Sequence, residues 1–366
     1  MMRACLWFAC FLLSVPVYAA QLPLHLIKLP DGFQISVFAA NVDNARSMAW
    51  NGSNTLYVGT RSAGKVYALV DSDGDYRADR RFTIASGLNM PNGIVYDNGD
   101  LYVAEVHRII KYSGIDQRLA NPPDPVVIYS ELPVEEHHGW RYLNLGPDGK
   151  LYISIGVPCN VCDEEGYGVL ARLDKNGKNF EVIARGVRNS VGFTWHSQTR
   201  QLWFTDNGRD WMGDDSPPDE LNRLSRTGEH FGFPYCHGDS IRDPDYGKGK
   251  RCQDYTAPVQ NLGAHVASLG LHIYSENQFP SQYRHQVFIA EHGSWNRSSK
   301  VGYRVSLVRL NEKQQAVSYE NFATGWLQGE RAWGRPVDIK PLPDGSLLVS
   351  DDVADAIYRI TYQFAQ

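Results

Sequence analysis

One short pattern returns six times along the chain: a tight turn, a run of apolar or aromatic residues, then a small or polar residue. Its copies are Leu56-Tyr57-Val58-Gly59, Leu101-Tyr102-Val103-Ala104-Glu105, Leu151-Tyr152-Ile153-Ser154, Leu202-Trp203-Phe204-Thr205-Asp206, Val287-Phe288-Ile289-Ala290-Glu291 and Leu347-Leu348-Val349-Ser350-Asp351. Their second positions lie 45, 50, 51, 85 and 60 residues apart, and most copies lead into another β-rich run, such as Lys65-Val66-Tyr67-Ala68-Leu69 or Ala356-Ile357-Tyr358-Arg359-Ile360. Each unit reads as a blade of antiparallel strands. A lone blade cannot cover both faces of its sheet, so units of this period stabilise one another by stacking around an axis. The pattern therefore predicts an all-β chain, a six-bladed β-propeller. The run from Phe33 to Phe38 has a partial alternation and no blade of its own. It is expected to complete the last blade and close the ring, hiding sheet edges that would otherwise aggregate. A sandwich of similar strands is the competing architecture, favoured by the uneven spacing. The matched turns Gly146-Pro147-Asp148-Gly149 and Pro343-Asp344-Gly345 favour the ring. The extra length between Asn207 and Gln286 reads as loop on one rim, where function is expected.

The first twenty residues differ from the rest. Arg3 supplies a positive start, Leu6 to Val17 is largely apolar, and Val17-Tyr18-Ala19 offers a small-residue cleavage site. Residues 1–19 read as a secretory signal peptide, leaving 20–366 as a single propeller domain exported to the periplasm or secreted. The apolar run is shorter than the about 20 residues of a membrane span, and no later run is long enough, so no span is expected. Cys10 admits a lipoprotein reading, against which Trp7 stands where a lipobox usually has Leu. Lys+Arg 36 against Asp+Glu 41, with no basic run, argues against nucleic acid as a partner.

Outside that leader, with its Cys5 and Cys10, four cysteines remain: Cys159, Cys162, Cys236 and Cys252. An even count in an oxidising compartment favours disulfides. The expected bridges are Cys159 with Cys162 and Cys236 with Cys252, in long loops rich in Gly and Pro. The spacing of Cys159 and Cys162 also suits a redox pair or half a zinc site, while Asp163 in place of His argues against attachment of a c-type haem.

Several clusters could carry chemistry. Glu135-Glu136-His137-His138-Gly139-Trp140-Arg141 sits just before a blade strand. Imidazole titrates near neutral pH, so such a cluster suits a general base; a pair of surface histidines would look the same. Gly186-Val187-Arg188-Asn189-Ser190 sets a fixed cation beside an amide at the mouth of the ring. That arrangement suits carboxylates or a developing oxyanion, and equally a salt bridge between blades. Asp206 to Asp210, Gly213 to Asp215 and Asp219 to Asn222 offer the hard oxygen ligands calcium takes. A second calcium candidate is Asp71, Asp73, Asp75 and Asp79, with Tyr76 where calcium loops usually keep Gly; a solvated acidic turn is the alternative.

Taken in order, His138 through Asp148, Cys159 to Cys162, Arg188-Asn189, Asp206 to Asn222, Phe231-Gly232-Phe233-Pro234, Ala290 to Arg297 and Arg335 through Asp352 carry a family resemblance. The chain resembles the soluble pyrroloquinoline quinone (PQQ) dependent sugar dehydrogenases, particularly their glucose/sorbosone dehydrogenase-like branch, over nearly its whole mature length. The resemblance implies a propeller with PQQ over the axis, calcium beneath the quinone, and a sugar, aldose or polyol on top. It implies that His138 is the general base removing the hydroxyl proton as hydride passes to the quinone. Arg188 and Asn189 would be cofactor ligands, the guanidinium stabilising charge on the quinone oxygen. Gly208 and Arg209 would offer main-chain carbonyls to the catalytic calcium, and Arg335 would grip a PQQ carboxylate. Electrons would leave to an external acceptor, a quinone or cytochrome.

Three positions depart from that pattern. Val337 stands where a second arginine is usual, and Val157 where an acidic residue is usual. The lysine over PQQ has no clear counterpart; among His292, Arg297 and Lys300, Arg297 is the expected substitute. Two other function classes fit a propeller: a calcium-dependent lactonase or related hydrolase, with Asp206, Glu105, Glu291 and Asp351 converging on an axial metal, and a non-catalytic module that binds a glycan or a protein.

Overall fold

Every copy of the repeated pattern is the second strand of a four-stranded antiparallel unit. The computed structural model describes residues 22–364, so the signal-peptide reading of 1–19 lies outside the described residues. Blade one comprises Ala45–Trp50, Thr55–Thr60, Val66–Val70 and Arg80–Ala85; blade two Gly93–Asp97, Asp100–Ala104, Ile109–Tyr112 and Val126–Tyr129. Blade three is Leu143–Leu145, Leu151–Ile155, Val169–Leu173 and Glu181–Arg185; blade four Phe193–Trp195, Leu202–Asp206, Pro218–Leu224 and Gln260–Ala264. Blade five is Ser268–Ile273, Val287–Glu291, Arg304–Leu310 and Ala316–Ala323. Blade six takes Pro336–Pro341, Leu347–Asp351 and Ala356–Tyr362, and its outer strand is the N-terminal Phe33–Ala40. The protein is a six-bladed β-propeller closed by its N-terminal strand.

That closure runs in antiparallel register from Phe33 opposite Tyr362 to Ala40 opposite Ala356, with a bulge between Val37 and Ala39. Phe33 also meets Phe279, Tyr283, Phe322 and Tyr362 edge-on at 4.8, 5.1, 4.9 and 4.9 Å between centroids, which ties the closing strand to blade five.

The second strands read as unbroken apolar runs because both of their faces are covered. Tyr57, Val66 and Ala68 of blade one pack with Ile94, Leu101 and Val103 of blade two. Trp203 and Leu221 of blade four pack with Leu271, Val287 and Ile289 of blade five. Near the axis the blades touch through main chain. A Cβ on Gly270 would sit 2.3 Å from the Asp338 carboxylate and 2.6 Å from its Cα, so only glycine lets blades five and six approach here.

The stretch between Asn207 and Gln286 is more ordered than a rim loop. It holds two strands of blade four, the first of blade five, a hairpin of Cys236–His237 with Ile241–Arg242, and Glu229–His230, which adds parallel to blade three. The strand Pro218–Leu224 evades a hydropathy reading because Asp219, Glu220 and Asn222 fill buried positions that usually show apolar residues. Both expected bridges form, Cys159–Cys162 and Cys236–Cys252. With both sulfurs joined, Cys159 and Cys162 do not serve as half a zinc site.

Candidate active site

The polar residue that ends the repeated pattern fixes the loop entering its own blade. Asp206 accepts the main-chain N–H groups of Arg188 at 2.7 Å and Asn189 at 2.6 Å. Asp351 accepts that of Arg335 at 2.8 Å, and Glu105 that of Asn89 at 2.8 Å. Glu291 is instead held by Arg304 at 2.6 Å. These four carboxylates bolt the frame, and none lines the axial cavity. The ligand set expected of an axial hydrolase metal is therefore not assembled.

The loops so fixed surround a cavity of about 320 Å³ at one end of the axis. Among the residues expected from sequence, it brings together His138, Arg188, Asn189, Gly208 and Arg335. Arg209 and Arg297 are outside its lining. Arg209 is drawn into a buried ion pair with Asp243 at 2.7 Å, and Arg297 reaches sideways to Asp215 at 3.1 Å and to the Asp214 carbonyl. Those partners remove the Arg297 guanidinium from the cofactor position expected of it. Of the other two substitutes, Lys300 donates to the Glu330 carbonyl at 2.6 Å, and His292 does line the cavity.

His138 is held in a left-handed conformation, φ 50°, which costs a non-glycine residue about 1–3 kcal/mol. Gly156 makes room for it: a Cβ there would lie 2.7 Å from the His138 Cβ and 3.2 Å from the Asn189 Oδ1. The His138 Nδ1 lies 2.9 Å from the Val157 carbonyl. A carbonyl only accepts, so Nδ1 carries the proton and Nε2 keeps its lone pair. Nε2 makes no hydrogen bond to the described residues. Burial, then the charges of Arg188 and His137, hold the imidazole pKa well below its ordinary value.

Arg188 is buried and every one of its donor directions is used. It donates to the Asn160 carbonyl and Oδ1 at 2.8 and 2.9 Å, to the Asn207 and Gly208 carbonyls at 3.2 and 2.8 Å, and to the Asp210 carboxylate at 3.2 Å. Asn189, its neighbour, leaves its side-chain amide without a hydrogen bond to the described residues and faces the cavity. Arg335 donates to the His292 carbonyl at 2.8 Å and to that of Gly293, and lies 5.1 Å above the Tyr303 ring.

Sequence reasoning missed Arg46 and Arg61, both from blade one. The Arg61 guanidinium stacks on Trp140 at 4.5 Å and has no hydrogen-bonding or carboxylate partner among the described residues. Burial, then repulsion from Arg46, lowers its pKa. Arg46 pairs with Asp352 at 2.7 Å, and the same carboxylate accepts the Nε2–H of His292 at 2.7 Å. Burial pushes the Asp352 carboxyl up, but His292 and Arg46 outweigh it and keep the group ionised; burial lowers His292 to about 4, so its ring is neutral.

The signal that would have found Arg46 is register. Strand pairing makes Arg46, Asn92, Arg141, Val191, Leu269 and Val337 equivalent, one from each blade, and all six are buried at the axis. Val337 closes an apolar plug with Val191 and Leu269. The arginine absent at 337 thus has a counterpart one blade further round the ring, at 46.

Charge defines what the cavity suits. Four guanidinium groups, from Arg46, Arg61, Arg188 and Arg335, face two lining carboxylates, Asp210 and Asp219. Asp210 is spent on Arg188, and Asp219 on the N–H groups of Gly208 and Ser268, both at 2.9 Å. Among the described residues Arg61 and Arg335 remain without a carboxylate partner, so the lining is complementary to an anion carrying more than one negative group.

The second calcium candidate is remote from this cavity, on the turn after Val66–Val70. Ligand oxygens of Asp71, Asp73 and Asp79 lie within 4.8 Å of one another, whereas Asp75 turns to accept the Arg77 N–H at 2.8 Å.

Comparison with known proteins agrees with this architecture. An uncharacterized protein of Borreliella burgdorferi is 33% identical over 368 residues, covering 96% of this chain and 95% of that protein. A Trichoderma reesei structure of Carbohydrate-Active Enzymes Family AA12 superposes with a TM-score of 0.82 at 19% identity, covering 94% of this chain and 100% of that one. The holo form of a pyranose dehydrogenase PQQ domain from Coprinopsis cinerea gives 0.77 at 15% identity, covering 92% and 97%. The family model described as TrAA12-like matches residues 27–363, and the chain belongs to that family.

Proposed function

We propose that this protein is an exported, periplasmic or secreted, PQQ-dependent oxidoreductase that oxidises a hydroxyl group of a sugar, aldose or polyol and passes the electrons to an external quinone or cytochrome. The observation that carries this reading is one cavity holding an unprotonated imidazole nitrogen beside two guanidinium groups free of carboxylates. PQQ carries several carboxylates, which matches the surplus charge of Arg61 and Arg335. When bound, it supplies the hydride acceptor that no side chain can provide.

The chain's own residues then divide the remaining work. His138 takes the substrate hydroxyl proton at Nε2, and the Val157 carbonyl keeps the ring in the tautomer that leaves this nitrogen free. Arg335 and Arg61 would hold carboxylates of the cofactor, Arg61 from blade one in place of the arginine absent at Val337, while Arg46 stays paired with Asp352. Asn189 offers its unengaged amide. Arg188, seated by five hydrogen bonds, presents fixed positive charge without reorganising, the condition under which electrostatic stabilisation is largest. Calcium is proposed at the main-chain oxygens of Gly208 and Arg209, where it would polarise a quinone oxygen. The Gly208 carbonyl accepts from Arg188 through one of its two lone pairs, and the other would be available to the ion.

The test is reconstitution. Purified protein is titrated with PQQ and calcium while the quinone absorbance is followed, then mixed with a redox dye and a panel of sugars. Saturable binding with sugar-dependent dye reduction is expected. No spectral change and no dye reduction with any sugar would remove the reading, and lactone hydrolysis without PQQ would replace it.

A further inference from the structure

Two tryptophans sit where a soluble propeller has least reason to put them. Trp211 and Trp295 are 68% and 65% exposed, yet they touch, with centroids 5.4 Å apart and rings perpendicular at 88°. Trp295 also lines the axial cavity, so the exposed pair is continuous with the candidate active site. Trp211 adopts φ 70°, a left-handed conformation that is a genuine outlier for a bulky aromatic residue. Two large aromatic side chains exposed side by side at the mouth of a cavity offer a surface for a ligand.

We propose that the Trp211–Trp295 pair is a stacking platform for a second sugar ring, so that the substrate class is an oligosaccharide whose end ring enters the cavity and whose next ring lies on the pair. This rests on the sugar-oxidation reading above. A pyranose presents an apolar face of C–H groups and a rim of hydroxyls. The electron-rich face of an indole matches the first, and the polar groups around the pair match the second.

The platform is built before any ligand arrives. Trp211 and Trp295 stand on two loops, one joining the second and third strands of blade four and the other the second and third strands of blade five, and the loops are clasped together. Asn296 donates to the Asp210 carboxylate at 2.7 Å, the Ser298 N–H to that of Asp214 at 3.1 Å, and Arg297 pairs with Asp215 at 3.1 Å. His265 donates its Nε2–H to the Gly213 carbonyl at 2.8 Å. The clasp gives Arg297, outside the cavity lining, a positioning role: it ties together the two loops that carry the indoles. Holding them in place lowers the ordering cost of binding.

The test uses full-length purified protein without PQQ, so that binding is read apart from turnover. Tryptophan fluorescence is titrated with glucose and with cellotriose, maltotriose and xylotriose. At least one trisaccharide is expected to give a saturable change at a concentration tenfold or more below that of glucose, lost in Trp211→Ala and kept in Trp211→Phe. In the reconstituted enzyme, Trp211→Ala should lower the trisaccharide-to-glucose ratio of kcat/KM by about tenfold. The proposal is overturned if no trisaccharide gives a saturable change, if Trp211→Ala responds as wild type does, or if that variant slows only reoxidation by a protein acceptor, which would make the pair an electron-partner surface. Trisaccharide binding without oxidation of any sugar by the PQQ-loaded protein would leave the platform standing and remove the oxidoreductase reading instead.

Discussion

Asn160 receives Arg188 twice, through its main-chain oxygen from Nε at 2.8 Å and through Oδ1 from Nη2 at 2.9 Å. The same Oδ1 accepts the Asp210 N–H at 2.8 Å, and the Asn160 Nδ2 donates to the Asp210 carbonyl at 3.1 Å. Asn160 lies inside the four-residue loop closed by the Cys159–Cys162 bridge. The bridge therefore holds the seat of an arginine, which gives a C-x-x-C spacing a structural use.

Asn160→Ala leaves the buried Arg188 guanidinium short of one acceptor, a loss of about 1–3 kcal/mol. The expected outcome is a PQQ affinity at least tenfold weaker, read by absorbance titration, with the bridge still formed by thiol counting. Wild-type affinity would show that the seat is dispensable.

His138→Gln is expected to lower kcat by a hundredfold or more and to leave PQQ binding within about threefold, because a general base contributes roughly 10²–10⁴ in rate. Its depressed pKa sets the pH profile. The free base persists as the medium is acidified, so the rate limb assigned to His138 should fall well below pH 6.5, and a limb at or above that value would contradict the assignment.

Gly156→Ala places a methyl 2.7 Å from the His138 Cβ and must push the imidazole aside. Turnover should drop at least tenfold with the fold intact by circular dichroism. An unimpaired variant would mean that His138 tolerates displacement and is not the positioned base.

Arg61 separates binding from stability. It has no acceptor to lose and is repelled by Arg46, so Arg61→Gln should weaken PQQ binding about tenfold while the melting temperature of the cofactor-free protein holds or rises. A fall in melting temperature with unchanged affinity would reverse the argument.

Acid should unfold the protein through the Arg46–Asp352–His292 network. The folded-state pKa of His292 is about 4, below its unfolded value near 6.5, so its contribution is present above pH 6.5 and is lost as pH falls toward 4. Asp352, also lowered, adds a loss at still lower pH. Melting temperature should decline across that window, and His292→Gln should flatten the decline; parallel curves would assign the acid sensitivity elsewhere.

Much of this was readable from residues alone, and the exceptions share a cause. The six second strands announce themselves because burial on both faces demands unbroken apolar runs, and the half-buried closing strand shows itself by its partial alternation. His138, Arg188, Asn189, Gly208 and Arg335 were legible as motifs, and the ring brings them to one cavity. Pro218–Leu224 was not legible, since its buried positions carry carboxylates and an amide whose partners, such as the Gly208 and Ser268 N–H groups, come from remote sequence. Arg46 and Arg61 were invisible for the same reason: their role depends on blade one lying beside blade six, a neighbourhood created only by closure. Arg297 misled because its motif fixes the loop and not the direction in which the side chain turns.

The pairing of Phe33 with Tyr362 has a consequence for the order of assembly. Contacts such as Gln34 to Gln363 span 329 residues, so the strand made first is the last to find its neighbour. Until translation finishes, that segment and blade six both offer open hydrogen-bonding edges, a vulnerable interval for slow, long-range topologies. A chain cut short before Ala356 would keep its first five blades yet lack the latch, and degradation should be greatest for such fragments.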